Sequence, residues 1–454
     1  MKINVPASLK ELAALFPVPL YAVGGFVRDS LLGFSPSDID VTAALSPDEV
    51  KKTLASSRFT VKDGSKKLLT LIIGDGETHY EYTAFRFDSY AGGHRPAVVI
   101  PCSDINADAS RRDFTVNAVY YDIKNEKIVD PLGGLGDLEN KRLRSTRSPH
   151  AVFSEDGLRL MRLARFAAAL GFTPDEDVLS AAKENRVLID EISKERIRDE
   201  LDKILAADTF YGVKFAQYRG LKILDDIGVL ERILPDVCLG KGMTQRSDFH
   251  AYDVFEHILQ TVKAASPDVR LAALMHDVAK PKMKLTTGLY RGHDREGAVM
   301  TRKILTELRY PSAVVEETAR LVENHMFNLN GDVRQNTLRR FLLHNRDIAE
   351  KLVRLKYADY FGSGKAIARS LPAADAITNE LNAMLEEGVP FSVSDLLVSG
   401  KDLLGINDLP ENRRQSALNA LLEERALANS PLTTRQKQLE FIENYARRQL
   451  WTTE

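Results

Sequence analysis

The stretch YAVGGFVRDSLLGFSPSDIDVT, residues 21 to 42, decides the fold of the N-terminal part of the chain. An apolar run from Leu20 to Val23 breaks at Gly24 and Gly25, then resumes with Phe26, Val27, Leu31 and Leu32 at helical spacing. That pattern predicts a strand, a tight turn and a helix. Paired glycines let the backbone approach a phosphate, a helix N-terminus offers unpaired N–H groups, and Arg28 adds a planar cationic fork. An anion suits such a turn. Ser35-Pro36-Ser37 then leads into Asp38-Ile39-Asp40-Val41, where strand alternation puts Asp38 and Asp40 on one face. Neighbouring carboxylates repel unless a hard cation lies between them, and Mg2+ with phosphate oxygens meets that need.

Downstream, Ser46-Pro47 reads as a capped helix start. Residues 58 to 85 alternate as strands around a Gly74-Asp75-Gly76 turn, with Glu81 on the second of them as a candidate third carboxylate. Residues 87 to 101 hold two glycines and the pair His94-Arg95, and read as a loop. In DASRRDFTVNAVYYD, Arg111 and Arg112 are expected to open an amphipathic helix with Phe114, Val116, Ala118 and Val119 on its apolar face. SEDGLRLMRLARFAAALGF, residues 154 to 172, predicts one continuous helix capped by Ser154 and ended by Gly171, with Arg159, Arg162 and Arg165 along one stripe.

Several of these segments together resemble the DNA polymerase beta type nucleotidyltransferases, in the branch that holds bacterial tRNA nucleotidyltransferases (CCA-adding enzymes) and poly(A) polymerases. The residues that carry the resemblance are GGFVRD with DID, EYTAFR at 81 to 86, RRDFTVNA at 111 to 118, and EDGLRLMRLARF at 155 to 166. Ala84 and Ala109 depart from the family's usual Thr and Leu. The resemblance implies that Asp38 and Asp40 hold Mg2+ with Glu81 assisting, and that Gly25, Arg28 and Arg112 contact a triphosphate, with Asp113 as an orienting partner. It further implies that Asp156 and Arg159 read the Watson–Crick edge of an incoming base, with Arg162 and Arg165 in support. A carboxylate accepting from an exocyclic amino group and a guanidinium donating to a ring nitrogen or carbonyl satisfy C and A and reject U and G. Glu195 and Arg196, in the ERI segment, are expected to brace that helix.

Five of the nine histidines fall between 250 and 325. His250 and His257 are expected on one helical face. Then come His276-Asp277, His293, His325 and Asp359, an ordered set that resembles an HD superfamily phosphohydrolase domain. By that likeness His257, His276, Asp277 and Asp359 ligate a metal, with His293 and His325 available to a second metal or to phosphate. Mixed imidazole and carboxylate donors suit Mn, Ni, Fe or Zn.

The expected fold class is therefore α+β, with a small mixed β-sheet head at 1–145 and a helical neck at 146–245. An HD domain at 246–370 and a helical tail at 371–454 follow. The tail holds the basic pairs Arg413-Arg414 and Arg447-Arg448. At 454 residues the chain exceeds one ordinary core. With 44% hydrophobic and 28% charged residues it has a globular composition, and its net charge of -2 means that nucleic acid must meet a local basic patch. Cys102 and Cys238 are too few for a disulfide framework. With no membrane-length apolar run, the expected location is the cytoplasm. The expected activity is addition of CCA to tRNA from CTP and ATP, with tRNA as partner and no obligatory protein partner. Poly(A) synthesis, addition of CC or A alone, and phosphohydrolytic repair of RNA ends are the competing readings.

Overall fold

The computed structural model describes residues 3–36, 38–90, 97–328, 331–365, 370–406 and 409–450. Ser37, His94 and Arg95 lie outside them. The chain divides into two compact units, Met1–Cys238 with Glu307–Tyr310, and Leu239–Thr306 with Pro311–Glu454.

The first unit opens with a seven-stranded mixed sheet. Its strands are β1 (Tyr21–Val23), β2 (Ile39–Ala43), β3 (Thr60–Asp63), β4 (Thr70–Gly74) and β5 (His79–Ala84). A separate hairpin, β6 (Arg86–Ser89) and β7 (Val98–Pro101), precedes β8 (Tyr120–Asp122) and β9 (Lys127–Val129), which complete the sheet in the order β3-β4-β5-β2-β1-β8-β9. β2 and β5 run parallel, with Asp40 registered against Glu81. Alternation works as expected. Ile39 and Val41 are buried while Asp40 faces out, and Tyr80 and Tyr82 are buried on either side of exposed Glu81. Ser46 and Glu49 cap the Pro47–Leu54 helix reciprocally.

The expected helix beyond Arg112 does not form. The Ile105–Ser110 helix stops at Arg111, residues 115–117 make a single 3-10 turn, and β8 then pairs with β1. The cause is local competition, because the Asp113 carboxylate accepts from the Phe114 N–H (2.8 Å) and from Asn117 Nδ2 (3.0 Å).

The neck helix is also interrupted. Helices Pro149–Glu155 and Leu158–Leu170 are separated at Asp156-Gly157. Ser154 lies within the first of them, and Asp156, just before the second, accepts from Leu158 N at 3.0 Å. A Cβ on Gly157 would lie 2.5 Å from the Leu188 carbonyl oxygen, so only glycine passes there. Gly171 ends the second helix in the left-handed conformation, as expected. Leu160, Met161, Leu163 and Ala164 are fully buried, each large one contributing about 1.5–3 kcal/mol relative to exposure.

The second unit is helical. The Val254–Ala264, Arg270–Met275, His293–Glu307, Ser312–Asn324 and Ala349–Gly362 helices carry or flank the histidine set. Helices Ser370–Glu386, Arg414–Ala426 and Arg435–Leu450 follow. Leu403, Leu421 and Ile442 form a separate apolar cluster in the tail. No helix among the described residues is long and apolar enough to cross a membrane.

Candidate active site and candidate metal centre

A cavity of about 440 Å³ in the first unit gathers Gly24, Gly25, Arg28 and Asp40 from the opening motif, Arg111, Arg112, Asp113 and Asn117 from the next, and Asp156, Arg159, Arg162 and Arg165 from the neck. Arg196, Leu158 and Phe166 complete it. Seven arginines against three aspartates make the wall strongly cationic, the field that a polyanionic ligand needs.

At its floor, Gly24 has φ +75°, and a Cβ there would lie 3.2 Å from Asp40 Oδ2 and 3.8 Å from an Arg112 guanidinium nitrogen. The close approach therefore belongs to Gly24, while Gly25 is the first helical residue. Asp40 retains solvent access through the cavity. Even so, the surrounding protein raises its pKa, first by desolvation and then through Glu81 and Asp38, against the pull of Arg112 and Arg162. Glu81 and Asp38 thus both place negative charge on Asp40. A divalent cation relieves that repulsion, and the donor set is all oxygen, as Mg2+ prefers.

Arg28 is buried and its guanidinium is spoken for, donating to Asp29 (2.8 and 3.0 Å), Asn117 Oδ1 (2.6 Å) and the Tyr211 hydroxyl (2.8 Å). Arg112 donates to the Tyr120 hydroxyl and to Asp108, both at 3.2 Å. Burial alone would raise the Asp108 pKa, but Arg112 and Arg111 hold it below the ordinary carboxylate value.

Asp113 receives Arg162, and Arg165 pairs with Glu200 at 2.7 Å. Arg28, Arg162 and Arg165 all lie within 5.1 Å of the Phe166 ring centre. Arg159 turns inward, donating to the carbonyls of Val152 (2.9 Å) and Arg111 (2.7 Å) and to Glu155 (2.9 Å). The partner of Asp156 is Arg196, at 2.6 Å. Arg196, expected as a brace of that helix, meets Asp156 at its start and also lines the cavity. Its spacing within a helix gave no sign of which carboxylate it would meet.

The second unit brings the histidine set together from five elements. His257 Nε2 lies 3.1 Å from His276 Nε2, 3.2 Å from Asp277 and 3.0 Å from Asp359. His293 Nε2 lies 3.2 Å from His325 Nε2 and 3.3 Å from the other oxygen of Asp277. Two groups suited to a metal result, His257/His276/Asp359 and Asp277/His293/His325.

The ring orientations support this. The Nδ1 atoms of His257, His276, His293 and His325 face the carbonyls of Gly362, Ala273, Tyr290 and Val322 at 3.3, 2.7, 2.8 and 2.6 Å. A carbonyl can only accept, so Nδ1 carries a proton and Nε2 is the atom that each ring turns toward the carboxylates. The buried Asp277 carboxylate lies between the two groups, one oxygen toward His257 and His276 and the other toward His293 and His325. Imidazole nitrogens and carboxylate oxygens converging in this way fit a cation. Lys280, three residues on, places Nζ 2.6 Å from Asp277 Oδ2, a contact not anticipated from sequence. His250 precedes the Val254–Ala264 helix, which is capped by Asp253, yet its ring still packs edge-on against His257 with centres 4.7 Å apart.

A mixed sheet bearing paired aspartates beside an arginine-lined cavity defines a nucleotidyltransferase. Residues 20–144 match the poly A polymerase head domain, 171–239 the probable RNA and SrmB-binding site of polymerase A, and 250–363 the HD domain. The chain is 33% identical over 461 residues to the A-adding tRNA nucleotidyltransferase of Deinococcus radiodurans, covering 95% of this chain and 96% of that protein. It is 38% identical over 236 residues to the CCA-adding enzyme of Lactococcus lactis subsp. cremoris, covering 51% of this chain and 56% of the relative. The fold resembles that of the Bacillus stearothermophilus CCA-adding enzyme in complex with CTP, with a TM-score of 0.67 and 21% identity over 97% of this chain and 98% of that one. The chain belongs to the tRNA nucleotidyltransferase family.

Proposed function

We propose that the protein adds CCA to the 3′ end of tRNA from CTP and ATP without a nucleic-acid template. The observation that carries this reading is the cavity that holds Asp40 together with the Asp156–Arg196 pair within one arginine-lined wall. In this reading the 3′-hydroxyl oxygen of the RNA attacks the α-phosphorus, the bond to the β-phosphate oxygen breaks, and pyrophosphate leaves with its charge held by Arg112 and its neighbours. Asp38 and Asp40, with Glu81 assisting, would hold Mg2+, which supplies Lewis-acid activation of the hydroxyl and neutralises the triphosphate. Asp156 accepts from the amino group that C and A share. Arg159 supports the backbone beside it, Arg162 holds the helix against the head through Asp113, and Arg165 ties it to Glu200 within the neck. Gly25 and Arg28 shape the triphosphate end.

The division of the first unit into head and neck near residue 145, and of the second into HD domain and tail near 370, belongs to this reading, as do tRNA as partner and the cytoplasm as location. Asp40→Ala protein should retain its fold and lose nucleotide incorporation; incorporation at the wild-type rate would refute the assignment. Addition of A alone, the activity in the name of the Deinococcus radiodurans relative, is the nearest alternative.

The two histidine–carboxylate groups that meet at Asp277 favour a second activity, hydrolysis of a phosphate ester. His257, His276, Asp277 and Asp359 would hold a transition metal (Mn, Ni, Fe or Zn), with His293 and His325 available to a second ion. Bound metal supplies activated water. Phosphate release from an RNA 2′,3′-cyclic or monoester end, tested with each metal, decides it.

A further inference from the structure

A guanidinium offers five N–H groups in a fixed plane. Arg28 spends four of them inside the protein: Nε on Asp29 Oδ1 (2.8 Å), Nη2 on Asp29 Oδ2 (3.0 Å) and on the Tyr211 hydroxyl (2.8 Å), and Nη1 on Asn117 Oδ1 (2.6 Å). Among the described residues this leaves one N–H, on Nη1, for the cavity that Arg28 lines. Where that last donor aims depends on how firmly the other four are held.

Tyr211 supplies the part of that hold that comes from farthest along the chain. Its hydroxyl accepts from Arg28 and donates to Asp29 Oδ1 at 2.9 Å, so three groups close into one ring of hydrogen bonds. Burial pushes its pKa up to about 12, with Arg28 opposing and Asp29 adding to the rise, and the hydroxyl therefore keeps the proton that it donates. The side chain is itself fixed. Tyr211 ends the short Asp208–Tyr211 helix before Gly212, packs edge-on against Phe34 and Phe210 with ring centres 5.1 and 4.7 Å away, and rests on the cluster of Ala168, Ala169, Ala207 and Ala216. On the other side of Arg28 the chain of contacts continues, since Asn117 Nδ2 donates to Asp113 and Asp113 holds Arg162. Arg28, Asn117, Asp113 and Arg162 line the cavity, and Tyr211 is not among the lining residues.

We propose that Tyr211 is a positioning residue for nucleotide addition, its hydroxyl fixing the Arg28 guanidinium so that the remaining Nη1 N–H meets the triphosphate of CTP or ATP. This rests on the reading of the arginine-lined cavity as the nucleotide site and gives a residue outside its wall a share of the phosphate affinity. A donor held in place before the ligand arrives costs no ordering when the ligand binds. Without the hydroxyl, one Nη2 N–H loses its partner and the guanidinium is free to turn.

Equilibrium binding of CTP, CDP and CMP to the full-length protein, with Mg2+ and without RNA, tests this with no nucleotide consumed. Wild type should bind CTP most tightly and CMP least. Tyr211→Phe keeps the ring and deletes one oxygen; it should lower the preference for CTP over CMP about tenfold, as expected for a hydrogen bond to a charged group, and leave CMP binding unchanged. In steady state it should raise the KM for CTP and for ATP by the same factor with kcat little changed. Tyr211→Leu also removes the ring packing, so it should unfold at a lower temperature than Tyr211→Phe yet show the same reduced preference. A preference unchanged in Tyr211→Phe, or one that falls only in Tyr211→Leu together with the unfolding temperature, overturns the proposal. A wild-type protein that binds CTP no better than CMP refutes instead the placement of the triphosphate against this wall.

Discussion

Asp113 holds Arg162 in a two-nitrogen ion pair, with Nε at 2.7 Å and Nη2 at 2.6 Å from one carboxylate oxygen. The pair ties the segment after the Ile105–Ser110 helix to the neck helix that carries Arg159 and Arg165. Burial alone would raise the Asp113 pKa, but Arg162 and the donors around it hold it well below the ordinary carboxylate value.

Asp113→Asn should therefore cost about 2 kcal/mol, toward the low end for a broken buried pair because Arg162 keeps some solvent contact. The sign with pH follows from the depressed pKa. The stabilisation is present above the unfolded-state value of 3.8 and is lost as pH falls below it toward the folded-state value. Thermal unfolding should show wild type above the variant at pH 7, with the gap narrowing below pH 3.8. A gap independent of pH would sink the ion-pair account.

Gly24→Ala should damage the active site more than the fold. The backbone at φ +75° costs an alanine about 1–3 kcal/mol, and the new methyl would press on Asp40 Oδ2 at 3.2 Å. Steady-state incorporation should fall at least a hundredfold in a folded protein, and Gly25→Ala, with 3.6 Å to its nearest neighbour, should be milder. Equal losses would show that the close approach at Gly24 is unimportant.

Arg196→Ala should release Asp156 and loosen base choice. One acid–base pair with a nucleobase is worth about 1–3 kcal/mol of discrimination, so the preference for CTP and ATP over UTP and GTP should drop about tenfold to a hundredfold. Competition assays with all four triphosphates measure it. Preserved selectivity would remove Arg196 from the recognition machinery.

Adding Mn, Ni, Fe or Zn should raise the unfolding temperature of the wild-type protein, since an ion bound only by the folded state stabilises it by mass action. His276→Ala should abolish the shift, because its Nε2 is one of the converging nitrogens. Absence of a shift with every one of these metals would make the histidine set purely structural.

Much of the head was legible because strand alternation is strict there: Ile39, Val41, Tyr80 and Tyr82 go in, while Asp40 and Glu81 stay out. The Ser46 cap and the Gly171 stop were equally local, and local chemistry is what sequence records best. The helix expected after Arg112 failed for a reason of the same scale, as the Asp113 side chain took the backbone donor that a helix would have used. The break at Gly157 was hidden because its cause, the Leu188 carbonyl, is distant in sequence. The pairing of Asp156 with Arg196 and of Arg28 with Tyr211, 183 residues away, arises the same way. Periodicity places a side chain on a face and cannot name what the fold brings to it.

Incubating the protein with tRNA that lacks its terminal CCA, with CTP and ATP supplied singly and together, tests the central claim most directly. Extension by CC with CTP alone, completion to CCA and arrest when both are present, and no extension with ATP alone are expected. Failure to add C to that end, or continued addition of A past the final position, would contradict it.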